Sequence, residues 1–345
     1  MRRTFLKGVV AALAAAPLIT AAGLARAQDA ASFYKDNVIK WIIPYNPGGG
    51  YDEYSRAIAP YLEKYTGARV DVVNLPGAGG MKGANEIFDA PADGLTVGII
   101  NGSAMVTNQL SEIEGVRYKI GEYGYLGRMV ADLRVLVVSS QSPYKTFEDL
   151  MAADRDVIVG ATGLGGSTYV DAVITGPALG VGQKVVHGFD NSSDVRQAML
   201  RGDVEAMWGS LGSALQGVQD GEHVIVVQSD RVRSPLALDV PSIFEYAEKM
   251  PNAAEIAPIM AAWDALNAVG RPVAVPPGVP EDRLAFLQDA FAKAMADPDF
   301  VKMMTDAGRE LSYVDGPTMR NIARASTELT DDVRAKLVAA IRGEI

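Results

Sequence analysis

The chain has 345 residues, of which 48% are hydrophobic and 21% charged, an ordinary globular composition that is long enough for two domains with cores of their own. Its formal charge of −10 leaves no basic surplus to neutralise phosphates, so we expect no nucleic-acid partner. Cysteine is absent and the only histidines are His187 and His223, which excludes disulfides, cysteine-based zinc sites and Cys–His nucleophiles. We expect neither a metal nor a cofactor.

Residues 1–27 have the pattern of an export signal. Arg2, Arg3 and Lys7 precede an apolar run at residues 8–24, and a small-residue A-x-A site ends at Ala27. The run is too short and too rich in alanine for a membrane span, and the paired arginines resemble the twin-arginine signal. Cleavage after Ala27 removes four basic residues and no acid, so the formal charge becomes −14. We therefore expect a freely soluble periplasmic protein, because no cysteine at this boundary could carry a lipid anchor.

The chain then reads as two α/β units followed by a helical tail. Apolar runs and helical periodicity predict the first unit as strands at Val38–Pro44, Arg69–Asn74 and Thr96–Ile100 with helices at Asp52–Tyr65 and Met81–Asp89. They predict the second unit as strands at Val135–Ser139, Val157–Gly160, Lys184–Val186, Val204–Trp208 and Val224–Gln228, with helices at Thr146–Ala153, Ser167–Thr175 and Ser193–Arg201. The strand–loop–helix order is typical of parallel sheets with right-handed crossovers.

The pattern is less regular after Pro241. We predict a strand at Arg271–Val275 and a helix from Glu281 that breaks at residues 297–298 and resumes until Gly308. Phe300, Met303 and Met304 on its second part are interpreted as core residues. A single long helix is predicted from about residue 318 to residue 342.

Three glycine-rich turns, at residues 44–52, 74–81 and 160–168, each join an apolar strand to a helix. Backbone N–H groups in such turns have no helical partner and lie at a positive dipole end, which suits an anionic oxygen. One such turn alone is usually a plain connection, but three in one exported chain favour a carboxylate site. Their spacing matches neither the dinucleotide fingerprint nor the phosphate loop.

A secreted hydrolase is an alternative function. Ser210 lies in a GSLG segment, which departs from the G-x-S-x-G nucleophile motif. The hydrolase alternative requires Ser210 or Ser167 within reach of a histidine, whereas we interpret both histidines as surface or hinge residues.

An ordered set of motifs resembles the substrate-binding proteins of tripartite tricarboxylate transporters, the Bug family. The motifs are PYNPGGGYD at residues 44–52 with Arg56, NLPGAGG at 74–80, DGLT at 93–96, GATG at 160–163 with GS at 166–167, GDVEA at 202–206, DVPS at 239–242 and VPPGVP at 275–280. The resemblance covers nearly all of the chain after the signal.

The resemblance implies a two-lobed periplasmic-binding-protein fold of type II-like α/β architecture, in which each lobe is a sheet flanked by helices and the ligand cleft lies between them. We expect residues 28–132 and 230–345 to form lobe one, with the C-terminal helices, and residues 133–229 to form lobe two. The family's ligand-binding positions correspond to Tyr45, Gly48, Gly49, Gly50, Asp52, Ala78, Gly79, Gly80, Ser103, Thr162, Gly166, Ser167 and Ser210. Asp52 would brace its loop or join a water network.

The function that the resemblance implies is the capture of a small carboxylate, either a di- or tricarboxylate or an aromatic carboxylate, without chemistry. The protein would act as a monomer that delivers the ligand to the membrane permease subunits of a tripartite tricarboxylate-type transporter. Family members commonly have Tyr and a basic residue where this chain has Phe189-Asp190, and Phe-Asp where it has Trp208-Gly209. We therefore expect Phe189 and Trp208 to offer apolar surface to a ligand with an apolar or aromatic body. The alternative is that Trp208 faces the core. A sensor module that presents ligand to a membrane kinase is a second alternative function.

Overall fold

The computed structural model of the protein describes residues 30–163, 166–342 and 344. The predicted signal at residues 1–27 and two residues of the third glycine-rich turn lie outside this range. A short helix at residues 30–35 opens the described chain. No helix within the described residues is long and apolar enough to cross a membrane.

The first sheet has six strands, in the order β11-β4-β10-β3-β1-β2. They are β1 (Val38–Ile43), β2 (Arg69–Asn74), β3 (Thr96–Ile99), β4 (Gly124–Arg128), β10 (Pro272–Val275) and β11 (Val314–Asp315). β1 pairs in parallel with β2 and β3, and β10 lies antiparallel between β3 and β4. The helices that connect these strands are α1 (Gly50–Thr66), α2 (Met81–Phe88) and α3 (Gly102–Leu110).

The second sheet has five strands, in the order β7-β6-β8-β5-β9. They are β5 (Arg134–Ser139), β6 (Val157–Thr162), β7 (Gln183–Phe189), β8 (Ala206–Ser210) and β9 (His223–Gln228). β6 is parallel to β7 and β8, whereas β5 is antiparallel to β8 and β9. Helices α4 (Phe147–Met151), α5 (Ser167–Ala178), α6 (Ser192–Arg201) and α7 (Leu211–Gln219) connect them. The chain thus leaves the first sheet after Arg128 and returns to it at Pro272.

The remaining helices follow the second sheet. They are α8 (Ile243–Ala247), α9 (Ala253–Val269), α10 (Glu281–Met295), α11 (Pro298–Asp306), α12 (Gly316–Ala325) and α13 (Asp331–Arg342). α9 packs against α3 of the first unit and α5 of the second, and α13 also packs on α5. The fully buried Trp263 of α9 joins residues of both sheets in one core. The tail therefore bridges the two units.

The structure corrects the predicted tail at three points. Two helices, α12 and α13, occupy the range predicted as one long helix. Between them, the Ser326 and Thr327 hydroxyls donate to backbone carbonyls three residues back, and such local bonds compete with continuation of the helix. Met303 is 40% exposed, although Phe300 and Met304 are core residues as predicted. α9 was not predicted because it is apolar on nearly all sides, which removes the periodic signal of a surface helix.

Candidate functional site

A small cavity lies where the loops of the first sheet meet those of the second, and its wall contains two arginines. Its volume is about 40 Å³, room for a few water molecules. We call it the arginine cavity. Its wall is formed by Tyr45, Gly49, Gly50, Tyr51, Asn101, Arg134, Thr162, Ser167, Thr168, Asn191, Ser192, Gly209, Ser210, Ser213 and Arg271.

Arg134 is the first residue of β5 and comes from the second sheet. Its side chain is 4% exposed, and its Nε donates to Asp171 Oδ2 of α5 at 2.7 Å. The other oxygen of Asp171 accepts from Trp263 Nε1 at 2.9 Å. Burial opposes the charge of Arg134, but the neighbouring Asp171 and Asp132 outweigh it and raise its pKa. Arg134 is therefore a fixed, buried cation.

Arg271 immediately precedes β10 and comes from the first sheet. Its Nε donates to Asp132 Oδ1 at 3.0 Å, and both side chains are almost fully buried. Its guanidinium carbon lies 4.6 Å from the ring centre of Tyr51 and 4.9 Å from that of Tyr54. A Cβ at Gly50 would lie 2.9 Å from Arg271 Nη1, so only glycine allows the loop this close to the guanidinium.

Three hydrogen-bond donors of the wall have no partner among the described residues. They are Arg134 Nη2, Arg271 Nη1 and the Tyr51 hydroxyl, all of them buried. Burial raises the pKa of Tyr51 well above its usual value, so its hydroxyl keeps its proton and can donate. Buried polar groups are normally hydrogen-bonded, and a carboxylate accepts from guanidinium and hydroxyl groups. These donors are of the kind that bonds an anionic oxygen.

Asp52 braces the first glycine-rich loop from behind the wall. Its carboxylate accepts from Gly48 N at 3.1 Å, from Arg56 Nε at 2.9 Å and from Asn74 Nδ2 at 2.9 Å. Burial alone would raise the pKa of this carboxyl, but the hydrogen bonds outweigh it and hold the pKa below its usual value.

The lowered pKa gives a pH-dependent prediction for Asp52→Asn. Asp52 stabilises the fold above its unfolded pKa of about 4, and this contribution is lost as the pH falls through its lower folded pKa. We expect the variant to be about 1–3 kcal/mol less stable than the wild type at pH 7, with a smaller difference at pH 3. Denaturant titrations at both pH values measure this. Asp71→Asn, in an exposed pair with Arg69, is the control. A difference independent of pH contradicts the prediction.

The two units contact each other across the site. Ser193 Oγ at the start of α6 donates to Gly48 O at 2.8 Å. Asn101 Nδ2 lies 2.7 Å from the Tyr45 hydroxyl and 3.1 Å from Ser167 Oγ of α5. The structure is therefore in a closed arrangement, with both lobes bonded to each other at the cavity.

A second cavity of about 40 Å³ adjoins the first. The two share Gly50, Ser192, Gly209, Ser210 and Ser213 as wall residues. The second cavity also has Gly48, Glu53, Val137, Ser193, Arg196, Met207, Ala214, His223 and Arg309 in its wall.

The predicted site residues divide into wall and support. Tyr45, Gly49, Gly50, Thr162, Ser167 and Ser210 line the arginine cavity, and Gly48 lines the second one. Asp52, Ala78, Gly79, Gly80, Ser103 and Gly166 line neither cavity. Gly79 O accepts from the Tyr45 hydroxyl at 2.8 Å, and Ser103 Oγ donates to Asn101 Oδ1 at 3.2 Å. These two residues therefore support wall residues instead of forming the wall.

The two aromatic residues expected to face the ligand lie elsewhere. Trp208 is 1% exposed and packs edge-to-face on Trp263, with ring centres 5.6 Å apart. Side chains alternate along β8, so its neighbours Met207 and Gly209 face the second cavity while Trp208 faces the core. Phe189 is half-buried and packs against another part of the core. The expectation of an apolar ligand surface from these residues is wrong.

Arg134 and Arg271 are wall residues that the sequence analysis does not single out. Arg271 is predicted only as the first residue of a strand, and no role is predicted for Arg134. The available signal is a charged residue at the start of, or directly before, a mostly apolar strand, because such a strand is buried and the charge must be paired.

The hydrolase alternative requires a Ser–His pair, and none occurs among the described residues. His223 was expected at the surface or hinge, but it is buried. It shares the second cavity with Ser210, yet its Nε2 lies 3.0 Å from Ala214 O and Ser210 Oγ donates to Ser213 Oγ. His187 is exposed, as expected, against the Tyr169 ring. Within the described ranges no group of acidic or histidine side chains could hold a metal ion.

Comparison with known proteins identifies relatives over most of the chain. A sequence model of the tripartite tricarboxylate transporter family receptor, TctC, matches residues 54–333. A UPF0065 protein from the tcbD–tcbE intergenic region of Pseudomonas sp. strain P51 is 26% identical over 333 residues, covering 95% of this chain and 92% of that protein.

Solved structures share the fold. The periplasmic binding protein BugD superposes with a TM-score of 0.74 at 17% identity, covering 88% of this chain and 98% of BugD. R. palustris Rpa4515 with adipate gives a TM-score of 0.72 at 19% identity, covering 89% and 97% of the two chains. The predicted two-lobed α/β architecture is thereby confirmed.

Proposed function

The chain belongs to the tripartite tricarboxylate transporter receptor family, and we propose that it captures a small carboxylate between its lobes. The observation that carries this proposal is that three residues of one cavity wall, Arg134, Arg271 and Tyr51, each have a buried donor without a partner in the described part of the chain: Nη2, Nη1 and the hydroxyl, respectively. The carboxylate bound by Rpa4515, adipate, is consistent with this ligand class.

The arrangement couples ligand binding to lobe closure. Arg134 belongs to the second sheet and Arg271 to the loop before the first-sheet strand β10, so one carboxylate bonded to both bridges the lobes. A ligand that contacts both lobes favours the closed state over the open one. The cavity is only about 40 Å³, so the lobes must stand further apart around a bound ligand than they do here.

The remaining properties that we propose follow from the family and the sequence. The protein is a receptor and not an enzyme, because the family to which it belongs is a receptor family. It is exported with cleavage after Ala27, acts in the periplasm as a monomer, and delivers its ligand to the membrane subunits of a tripartite tricarboxylate-type transporter.

A thermal-shift panel on the purified protein tests this function. It compares aliphatic, hydroxylated and aromatic carboxylates with their neutral amides and with neutral sugars. At about 100 times its dissociation constant, a ligand adds about 2.7 kcal/mol to stability. We expect stabilisation by at least one carboxylate and none by its amide. Stabilisation by neutral compounds alone would contradict the proposed function.

A further inference from the structure

Most of the described wall residues of the arginine cavity carry hydroxyl or amide groups. The wall residues are two arginines, two tyrosines and three glycines, and otherwise serine, threonine and asparagine. Such groups can form hydrogen bonds with the body of a ligand and not only with its charged end.

Two wall serines have unused hydrogen-bonding capacity. Ser213 Oγ accepts from Ser210 Oγ at 3.1 Å and from Arg309 Nη1 at 3.1 Å, so its own proton is available. Ser210 donates its proton to Ser213 and keeps free lone pairs, and it makes no capping bond to its helix α7. The pair therefore offers one donor and one acceptor side by side.

Three further wall residues, Ser167, Thr162 and Thr168, also carry hydroxyl groups. Ser167 Oγ accepts from Asn101 Nδ2 at 3.1 Å, which leaves its proton available. Thr162 Oγ1 and Thr168 Oγ1 bond each other at 2.9 Å, and both side chains are buried. A ligand hydroxyl can bond the free proton of Ser167, whereas an aliphatic ligand chain would cover it without bonding it.

The wall continues into the second cavity at Gly209, where aliphatic side chains are present beside the serines. A Cβ at this position would meet only Met207 Cε, at 3.9 Å, so open space lies beside the Gly209 backbone. Ser192, Ser210 and Ser213 belong to both cavities. A ligand body that extends from the arginines past Gly209 therefore passes these serines.

We infer that the ligand is a polyhydroxylated carboxylate, an acid of the sugar-acid type, whose carboxylate bonds Arg134 and Arg271 and whose hydroxyls bond the wall serines. This inference rests on the proposed function and names its substrate class. It replaces the apolar or aromatic ligand expected from Phe189 and Trp208, neither of which lines the cavity.

Matched acids that differ only in their hydroxyls test the inference. Calorimetry on the purified protein compares hexanedioate with the stereoisomers of tetrahydroxyhexanedioate, and hexanoate with gluconate. We expect at least one hydroxylated acid to bind ten or more times more tightly than its deoxy partner. Equal or tighter binding of the deoxy or aromatic acids overturns the inference while leaving carboxylate capture intact. Failure of every acid to bind overturns both.

Serine variants test which wall residues cause the preference for hydroxylated over deoxy acids. We expect Ser210→Ala and Ser213→Ala each to reduce the preference for the hydroxylated acid, the ratio of the two dissociation constants, at least fivefold. Ser140→Ala, outside both cavities, is the control, and thermal unfolding verifies that each variant is folded. An unchanged ratio in both cavity variants would show that these serines do not read the ligand and would overturn the inference.

Discussion

Replacing Arg271 by lysine is expected to weaken carboxylate binding roughly 10- to 100-fold, the cost of losing one hydrogen bond to a charged group. Lysine keeps the positive charge beside Asp132 but lacks the planar guanidinium, whose Nη1 is buried without a partner among the described residues. The loss should appear as faster ligand dissociation, because the bond forms only after the lobes close. Calorimetry and stopped-flow fluorescence measure the two effects.

Arg128→Lys is the matched control for this variant. Arg128 is also buried, but it donates to the carbonyls of Ala268 and Ser312 and lies outside both cavities. We expect its ligand affinity to stay within twofold of the wild type, whatever its effect on stability. If Arg271→Lys binds carboxylates as the wild type does, the guanidinium is not part of the ligand site.

Asp171→Asn is expected to destabilise the protein by about 3–5 kcal/mol, the usual consequence of leaving one member of a buried ion pair without its counter-charge. Arg134 and Asp171 are 4% and 1% exposed, so bulk solvent solvates the lone charge poorly. The same variant should bind a carboxylate more tightly, because the ligand then supplies the negative charge that Arg134 has lost. Denaturant titrations with and without ligand measure both changes.

Asp264→Asn, which breaks a surface ion pair, is the control for the stability loss expected in Asp171→Asn. Asp264 pairs with Arg231 at 2.8 Å on the surface, where about half of the arginine side chain is exposed, so we expect a change below about 1 kcal/mol. A ligand-induced gain in stability that is smaller in Asp171→Asn than in the wild type would contradict a direct contact between Arg134 and the carboxylate.

The sequence predicted the parts of the fold whose elements have one buried face or a clear turn at each end. β1, the glycine-rich loop and α1 are of this kind, since an apolar run, a proline and a glycine mark their limits. α9 escaped prediction because it packs against both units and needs no polar stripe. β4 was also missed. All of its residues are buried, and two of its five residues, Gly124 and Gly127, are glycines, which weakens the sequence pattern of a strand.

The sequence indicated wall residues whose backbone lines the cavity and missed those whose side chains are positioned by tertiary contacts. Gly49 and Gly50 stand in a loop whose composition already indicates an anion site. The positions of Arg134 and Arg271 depend on ion pairs with residues distant in sequence. Arg134 pairs with Asp171, 37 residues away, and Arg271 pairs with Asp132, 139 residues away. Trp208 illustrates a third limit, because a buried strand with both faces covered gives no sign of which face each side chain occupies.

A crystal structure of the protein with its bound carboxylate is the decisive test of the proposed site. We expect carboxylate oxygens within hydrogen-bond distance of Arg271 Nη1, Arg134 Nη2 and the Tyr51 hydroxyl, with Asp132 and Asp171 still bonded to their arginines. A carboxylate bound elsewhere, or one held by backbone N–H groups alone with both guanidiniums more than 4 Å away, would contradict it.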